Sequence, residues 1–157
     1  MAITPETRDY RTFEVRALDT GEEDKQYRVE GYAAVFDEET VLYEYDGIEY
    51  KEVIDRSAFT GAEMRDVVMN YNHGGKPVAR TKNGTLQLTV DTRGLRISAD
   101  LSGTEEGRRL YEEIRGGYLD QMSFAFTVNK QEYDRAKHLR RITGLGRVFD
   151  VAAVDIP

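Results

Sequence analysis

Only two histidines occur in the 157 residues, so acid–base chemistry near neutral pH falls to His73, to His138 or to a strongly perturbed carboxylate or lysine. His73 lies in Val67-Val-Met-Asn-Tyr-Asn-His-Gly-Gly75, where an apolar strand gives way to two glycines. A side chain at such a rim can be presented to a cleft, although a surface loop histidine fits the same pattern. His138, beside Lys137 and Arg140 in a charged turn, reads as solvated. Ser123 belongs to a run in which Met122, Phe124, Phe126 and Val128 alternate with Ser123, Ala125 and Thr127. One face of that strand is large and apolar, the other small and hydroxylated, which leaves room for a substrate backbone beside Ser123. A serine in a strand is also simply a tolerated small residue. Asp150 is the odd charge in Arg147-Val-Phe-Asp-Val-Ala-Ala-Val154, on a face shared with Val148, Ala152 and Val154. An ionised carboxylate there is costly unless it accepts hydrogen bonds, and an imidazole N–H from His73 is a fitting donor. An edge-strand Asp facing water is the alternative.

Other chemistries find less support. No Cys is present, which excludes disulfides and thiolate zinc sites, and the Asp and Glu spacing shows no metal motif around the two histidines. No cofactor is implied, because Gly74-Gly75 and Gly116-Gly117 lack the strand-loop-helix context and lysine of phosphate sites. With 22 Lys+Arg against 29 Asp+Glu the chain carries −7, which disfavours wrapping of nucleic acid. The first ten residues lack the apolar stretch of a signal peptide, and no run approaches the roughly 18 apolar residues of a membrane span. A soluble protein with no membrane partner is expected.

The elements that must position these side chains are mostly strands. With no repeat, no low-complexity tract and only 3 Pro, residues 1–157 read as one domain. Tyr27 to Val35 alternates as a strand after an acidic stretch, Thr20 to Asp24, expected to be a solvated turn. Asp46-Gly47 predicts a tight hairpin within Tyr43 to Tyr50, and Asn83-Gly84 and Arg93-Gly94 punctuate a meander through Leu86 to Val90 and Leu95 to Leu101. Ser102 to Gly117 predicts a helix from its capping hydroxyls, its early acidic residues, its Leu110, Tyr111 and Ile114 stripe and its Gly stop. A shorter helix is expected over Ser57 to Arg65, with Phe59 and Met64 inward. After Met122 to Val128 and a charged turn over Asp134 to His138, Leu139 to Thr143 and Arg147 to Ile156 read as two strands. About seven strands or more and one or two helices suit a mainly β fold, a closed or nearly closed barrel with peripheral helices.

Taken in order, Gly31-Tyr-Ala-Ala-Val-Phe36, Glu52-Val-Ile-Asp-Arg-Ser-Ala-Phe59, Asn72-His73, Gly84-Thr-Leu86, Gly94-Leu95, Gln121-Met-Ser-Phe-Ala-Phe126 and Phe149-Asp-Val-Ala-Ala-Val-Asp-Ile-Pro157 resemble the tailed-bacteriophage prohead (procapsid maturation) protease family. The resemblance runs from about Arg28 to the C-terminus. That family is similar to the herpesvirus assemblin serine proteases, which implies a β-barrel wrapped by helices. It also implies Ser123 as nucleophile, His73 as general base and Asp150 where members commonly carry an acidic residue. The second histidine of assemblin relatives keeps His138 as an alternative third member. Ser57 stands where the family tends to have Gly.

The implied activity is a serine endopeptidase that cleaves scaffolding segments and capsid-protein extensions, and itself, inside the assembling procapsid in the bacterial host cytoplasm. Its partners would be the major capsid protein with its scaffolding segment and, by assemblin analogy, a second copy in a homodimer. The chain stops at Pro157 inside a closing motif where relatives continue, as trimming or self-processing would leave it; oxyanion donors in a later loop would then be missing. Two rival readings are a noncatalytic capsid-assembly module that binds scaffold, and a metal-dependent phosphoesterase using His73 with acidic residues.

Overall fold

In a computed structural model, described over residues 9–17 and 27–154, ten strands and one α-helix occur. They run β1 (Asp9–Ala17), β2 (Arg28–Val35), β3 (Thr40–Tyr45), β4 (Ile48–Ile54), β5 (Val68–Tyr71), β6 (Gly74–Arg80), β7 (Leu86–Val90), β8 (Gly94–Asp100), α1 (Glu105–Arg115), β9 (Gln121–Asp134) and β10 (Leu139–Val154). The mainly β class is as expected. The acidic stretch Thr20 to Asp24 and the last three residues of the closing motif lie outside the described residues.

The strands follow one path, β3-β4-β10-β9-β1-β2-β8-β7, with β5 attached to β10 and β6 to β5. Among the described residues β3 and β7 end that path without pairing to each other, so the sheet is open and the expected barrel closure is not found. Every residue of β3 is exposed, so that hairpin stands away from the core instead of curling toward β7. Its turn is the one predicted: Asp46 and Gly47 both have positive φ, the two-residue geometry that matches strand twist.

The helix also stands where its caps place it. Thr104 Oγ1 accepts from Gly107 N at 2.8 Å, Glu105 and Glu106 occupy the first turn, and Leu110, Tyr111 and Ile114 are buried. Ser57 to Arg65 is not a helix. It forms successive turns, with Ala58 N donating to Asp55 O, Thr60 N to Ser57 O and Ala62 N to Phe59 O. Its backbone is taken by β10 instead: Leu145 N donates to Ala58 O at 2.9 Å, Glu63 N to Gly146 O at 3.0 Å and Val148 N to Glu63 O at 3.0 Å. Phe59 still points inward, its ring 6.5 Å from that of Phe124.

The two strands expected after Leu139 are one. β10 continues through Gly144 and Gly146 because register shifts absorb the surplus residues while Leu145 still opposes Val128 and Val148 opposes Phe126. β9 runs along one edge of β10 from Leu139 to Val154, interrupted by bulges. The other takes β4 in parallel over Leu139 to Ile142, then the Ala58 to Glu63 turns, then β5 in parallel over Asp150 to Ala153.

Asp55 ties the turns to this spine. Its Oδ2 accepts from Ser57 N at 3.0 Å and Ser57 Oγ at 2.5 Å, and its Oδ1 from Arg141 Nη1 at 2.9 Å. The Ser57 bonds and then Arg141 hold its carboxyl below the usual carboxylate range. A carboxyl lowered in the fold stabilises it above the ordinary value, and that contribution is lost as pH falls through the lowered one. Asp55→Asn is therefore expected to cost about 1–2 kcal/mol in urea unfolding at pH 7. The difference should shrink toward pH 3.

Candidate active site

Register decides which side chains meet. In β9, Ser123 opposes Ala152 of β10, and Ala152 in turn opposes Asn70 of β5. Residues that oppose one another share a face, so Ser123, Ala152 and Asn70 form one row across three strands. The expected division of β9 holds in direction, with Met122, Phe124 and Phe126 on the other face and the rings of Phe124 and Phe126 stacked at 4.3 Å. The small face is not open, however: Ser123 is 3% exposed, Ala125 0% and Thr127 6%.

Asp150 reaches the Ser123 face through a bulge. Val148 opposes Phe126 while Asp150 opposes Ala125, two steps along β10 against one along β9, with Phe149 as the surplus residue. The face expected for Asp150 is thus corrected: Val148 points with the phenylalanines, and Asp150 stands with Ala152. A surplus residue inverts the strict alternation from which the sequence pattern is read. Nor is Asp150 on an edge, since Val68 of β5 pairs with it on one side and Ala125 on the other.

His73 arrives on the β5–β6 hairpin. Tyr71 pairs with Gly74, and the two residues between them, Asn72 and His73, have φ of 50° and 58°. Positive φ at both centres is the tight hairpin turn that favours Asn-Gly. Asn and His are both enriched among the non-glycine residues that take this conformation, so the turn can present His73 at its second central position. Asn72 N donates to Ala153 O at 2.9 Å, which pins the turn beside the strand that carries Asp150.

His73 Nδ1 and Asp150 Oδ1 are hydrogen-bonded, with the side chains 17% and 9% exposed. An ionised carboxylate only accepts, so the proton of the neutral ring is on Nδ1 and the lone pair on Nε2. Ser123 and Asp150 are diagonal neighbours on adjacent strands, roughly 7–8 Å apart. That is about the span of an imidazole with a hydrogen bond of roughly 2.7–3.2 Å on each side. Such a row can hold a hydroxyl, a base and an orienting carboxylate in sequence.

His138 takes no part in this cluster. It lies at the start of β10, its ring 5.0 Å from that of Tyr50, and twelve residues separate it from Asp150. Among the described residues no three His, Asp or Glu side chains gather as metal ligands would. A depression bordered by Ala62, Met64, Thr81, Leu86 and Leu88 contains none of the three residues. One residue of the row was missed in the sequence: Asn70 is 6% exposed, and its signal was a lone carboxamide inside the apolar run Val67-Val-Met-Asn-Tyr71.

The family model for the caudovirus prohead serine protease matches residues 11–157. Neither a search of curated proteins nor one of solved structures finds a match.

Ala152 is the floor between Ser123 and Asn70 and is fully buried. Ala152→Leu should overpack it and lower stability by about 1–3 kcal/mol in urea unfolding. A cost under a few tenths of a kcal/mol would show that the row is looser than its register implies.

Proposed function

The chain belongs to the caudovirus prohead serine protease family, and from that premise we propose that Ser123, His73 and Asp150 are its catalytic nucleophile, general base and orienting acid. The observation that carries this reading is the His73–Asp150 hydrogen bond on the face of the sheet that also holds Ser123. In the reaction, His73 Nε2 takes the Ser123 Oγ proton as the oxygen attacks a peptide carbonyl. Asp150 keeps the ring in the Nδ1–H form and stabilises the imidazolium that results. The imidazolium then gives its proton to the leaving amine, and water, activated by the same ring, releases the acyl group from Ser123.

The substrates in this reading are scaffolding segments and capsid-protein extensions within the procapsid, and the protease chain itself. Polypeptide confined there is abundant and close, so modest affinity suffices. Ser123→Ala and His73→Ala should each lower turnover about a million-fold, and Asp150→Asn about ten-thousand-fold, because the amide N–H can donate to Nδ1 and leave the ring proton on Nε2, the tautomer that cannot take the Ser123 proton. The measurement is processing of a coexpressed capsid precursor, followed by gel mobility and peptide mass. Unchanged cleavage by Ser123→Ala rejects the assignment and favours the scaffold-binding role.

A further inference from the structure

The open sheet ends in two unlike edges. β7, at one end of the path, pairs only with β8 among the described residues. Thr85 O accepts from Asp100 N, so alternation turns the N–H and C=O of Leu86, Leu88 and Val90 away from β8. Folded proteins blunt such an edge with lysine, proline or a bulge, because an unpaired ladder invites another strand. Leu86-Gln-Leu-Thr-Val90 has none of these. Beside it lies the depression of about 760 Å³ bordered by Ala62, Met64, Leu86 and Leu88. Leu86 is 2% exposed and Val90 46%, so the apolar face of β7 opens progressively along the strand. The rim is basic. Glu63 pairs with Arg65 and Asp66 with Arg80, which leaves Lys82 and Arg147 as surplus cations among the described residues, both close enough for their fields to reach Asp66.

The other end of the path has the opposite charge. Residues 38–51 carry Glu38, Glu39, Glu44, Asp46 and Glu49 against Lys51, which Glu39 and Glu49 already engage. Every residue of β3 is exposed, Tyr43 at 57% and Tyr45 at 71%. Tyr45 and Ile48 flank the two-residue turn as a bonded pair, so Glu44 turns its N–H and C=O outward. We propose that β3 of one copy adds as a strand to β7 of the next, laying apolar side chains over the depression while its carboxylates meet Lys82 and Arg147. The lengths suit, six residues against five. Because the two surfaces differ, the contact runs head to tail, and every pair keeps one free β3 and one free β7 for further copies. Neither edge contains Ser123, His73 or Asp150, so the association stands apart from their chemistry.

Two variants of the full chain test this. Val90→Pro removes an outward N–H and spares the β8 ladder, as edge prolines do, and Glu44→Pro does the same for β3. Val90→Lys and Glu44→Lys take their places if proline disturbs folding, judged by circular dichroism and the urea midpoint. In sedimentation velocity the wild-type mean mass is expected to rise with concentration past two copies without a plateau, and to fall in high salt. Each variant alone should associate at least about tenfold more weakly. Mixed in equal amounts the two should stop at a pair, because the Val90→Pro chain keeps a competent β3 and the Glu44→Pro chain a competent β7. A wild-type plateau at two copies means a closed twofold contact and overturns the proposal. So does a wild-type chain that stays monomeric, which leaves β7 to a segment of a different protein. Folded variants that associate as the wild type does overturn it as well, and so does a mixture that forms no pairs.

Discussion

The backbone of β10 is hydrogen-bonded along both edges, and this saturation fixes everything else about the site. β9 occupies one edge; β4, the Ala58 to Glu63 turns and β5 divide the other. Ser123, Asp150 and His73 come from segments separated by 27 residues or more of chain, yet none is placed by side-chain packing alone. Ladder register sets Ser123 against Ala152 and Asn70, and the hairpin that carries His73 grows directly from β5. Since a shift of one residue sends every side chain to the opposite face, the apolar row of Met122, Phe124 and Phe126 also polices the polar one. The site and the core are two sides of one ladder.

That rigidity holds a buried charge. Asp150 is a buried carboxylate, which folded proteins keep only when it is hydrogen-bonded, and His73 satisfies it. His73 in turn occupies a positive-φ position where glycine would be more comfortable. Each residue gives the other a buried hydrogen-bond partner. Local preference yields to a wider constraint, as it tends to do at functional sites. The depressed cost of reorganising the ring during proton transfer is the return, because the imidazole is already aimed.

Much of this was legible in the residues. The alternation in Met122 to Val128, the Asp46-Gly47 turn, the capped helix and the pairing of His73 with Asp150 all follow from local pattern and from the chemistry of a buried charge. What was illegible depended on partners distant in the chain. Ser57 to Arg65 has helical signals, but the carbonyls and amides that β10 offers outbid them, and no local pattern reports that offer. Gly144 and Gly146 looked like an interruption between two strands, whereas bulges let one strand run through them. The open sheet follows from the exposed β3 hairpin, whose alternating aromatic residues resemble those of a strand buried on one side. Asn70 was passed over because it is a single polar letter among apolar ones, and its place in the row with Ala152 and Ser123 is set only by strand register.

Phe149 shows where such information can reside. Its aromatic ring lies 4.6 Å from the Arg147 guanidinium, yet its larger contribution is arithmetical, as the unmatched residue that turns Asp150 over. At this point the chain specifies function by how many residues it has rather than by which ones. Were Phe149 paired with Ala125 instead of left unmatched, Asp150 would oppose Phe124 and stand among the phenylalanines, whereas removal of position 149 would close the bulge and keep the carboxylate opposite Ala125. An extra residue in β9 opposite Phe149 would thus be grave, because by giving Phe149 a partner it would turn the carboxylate over.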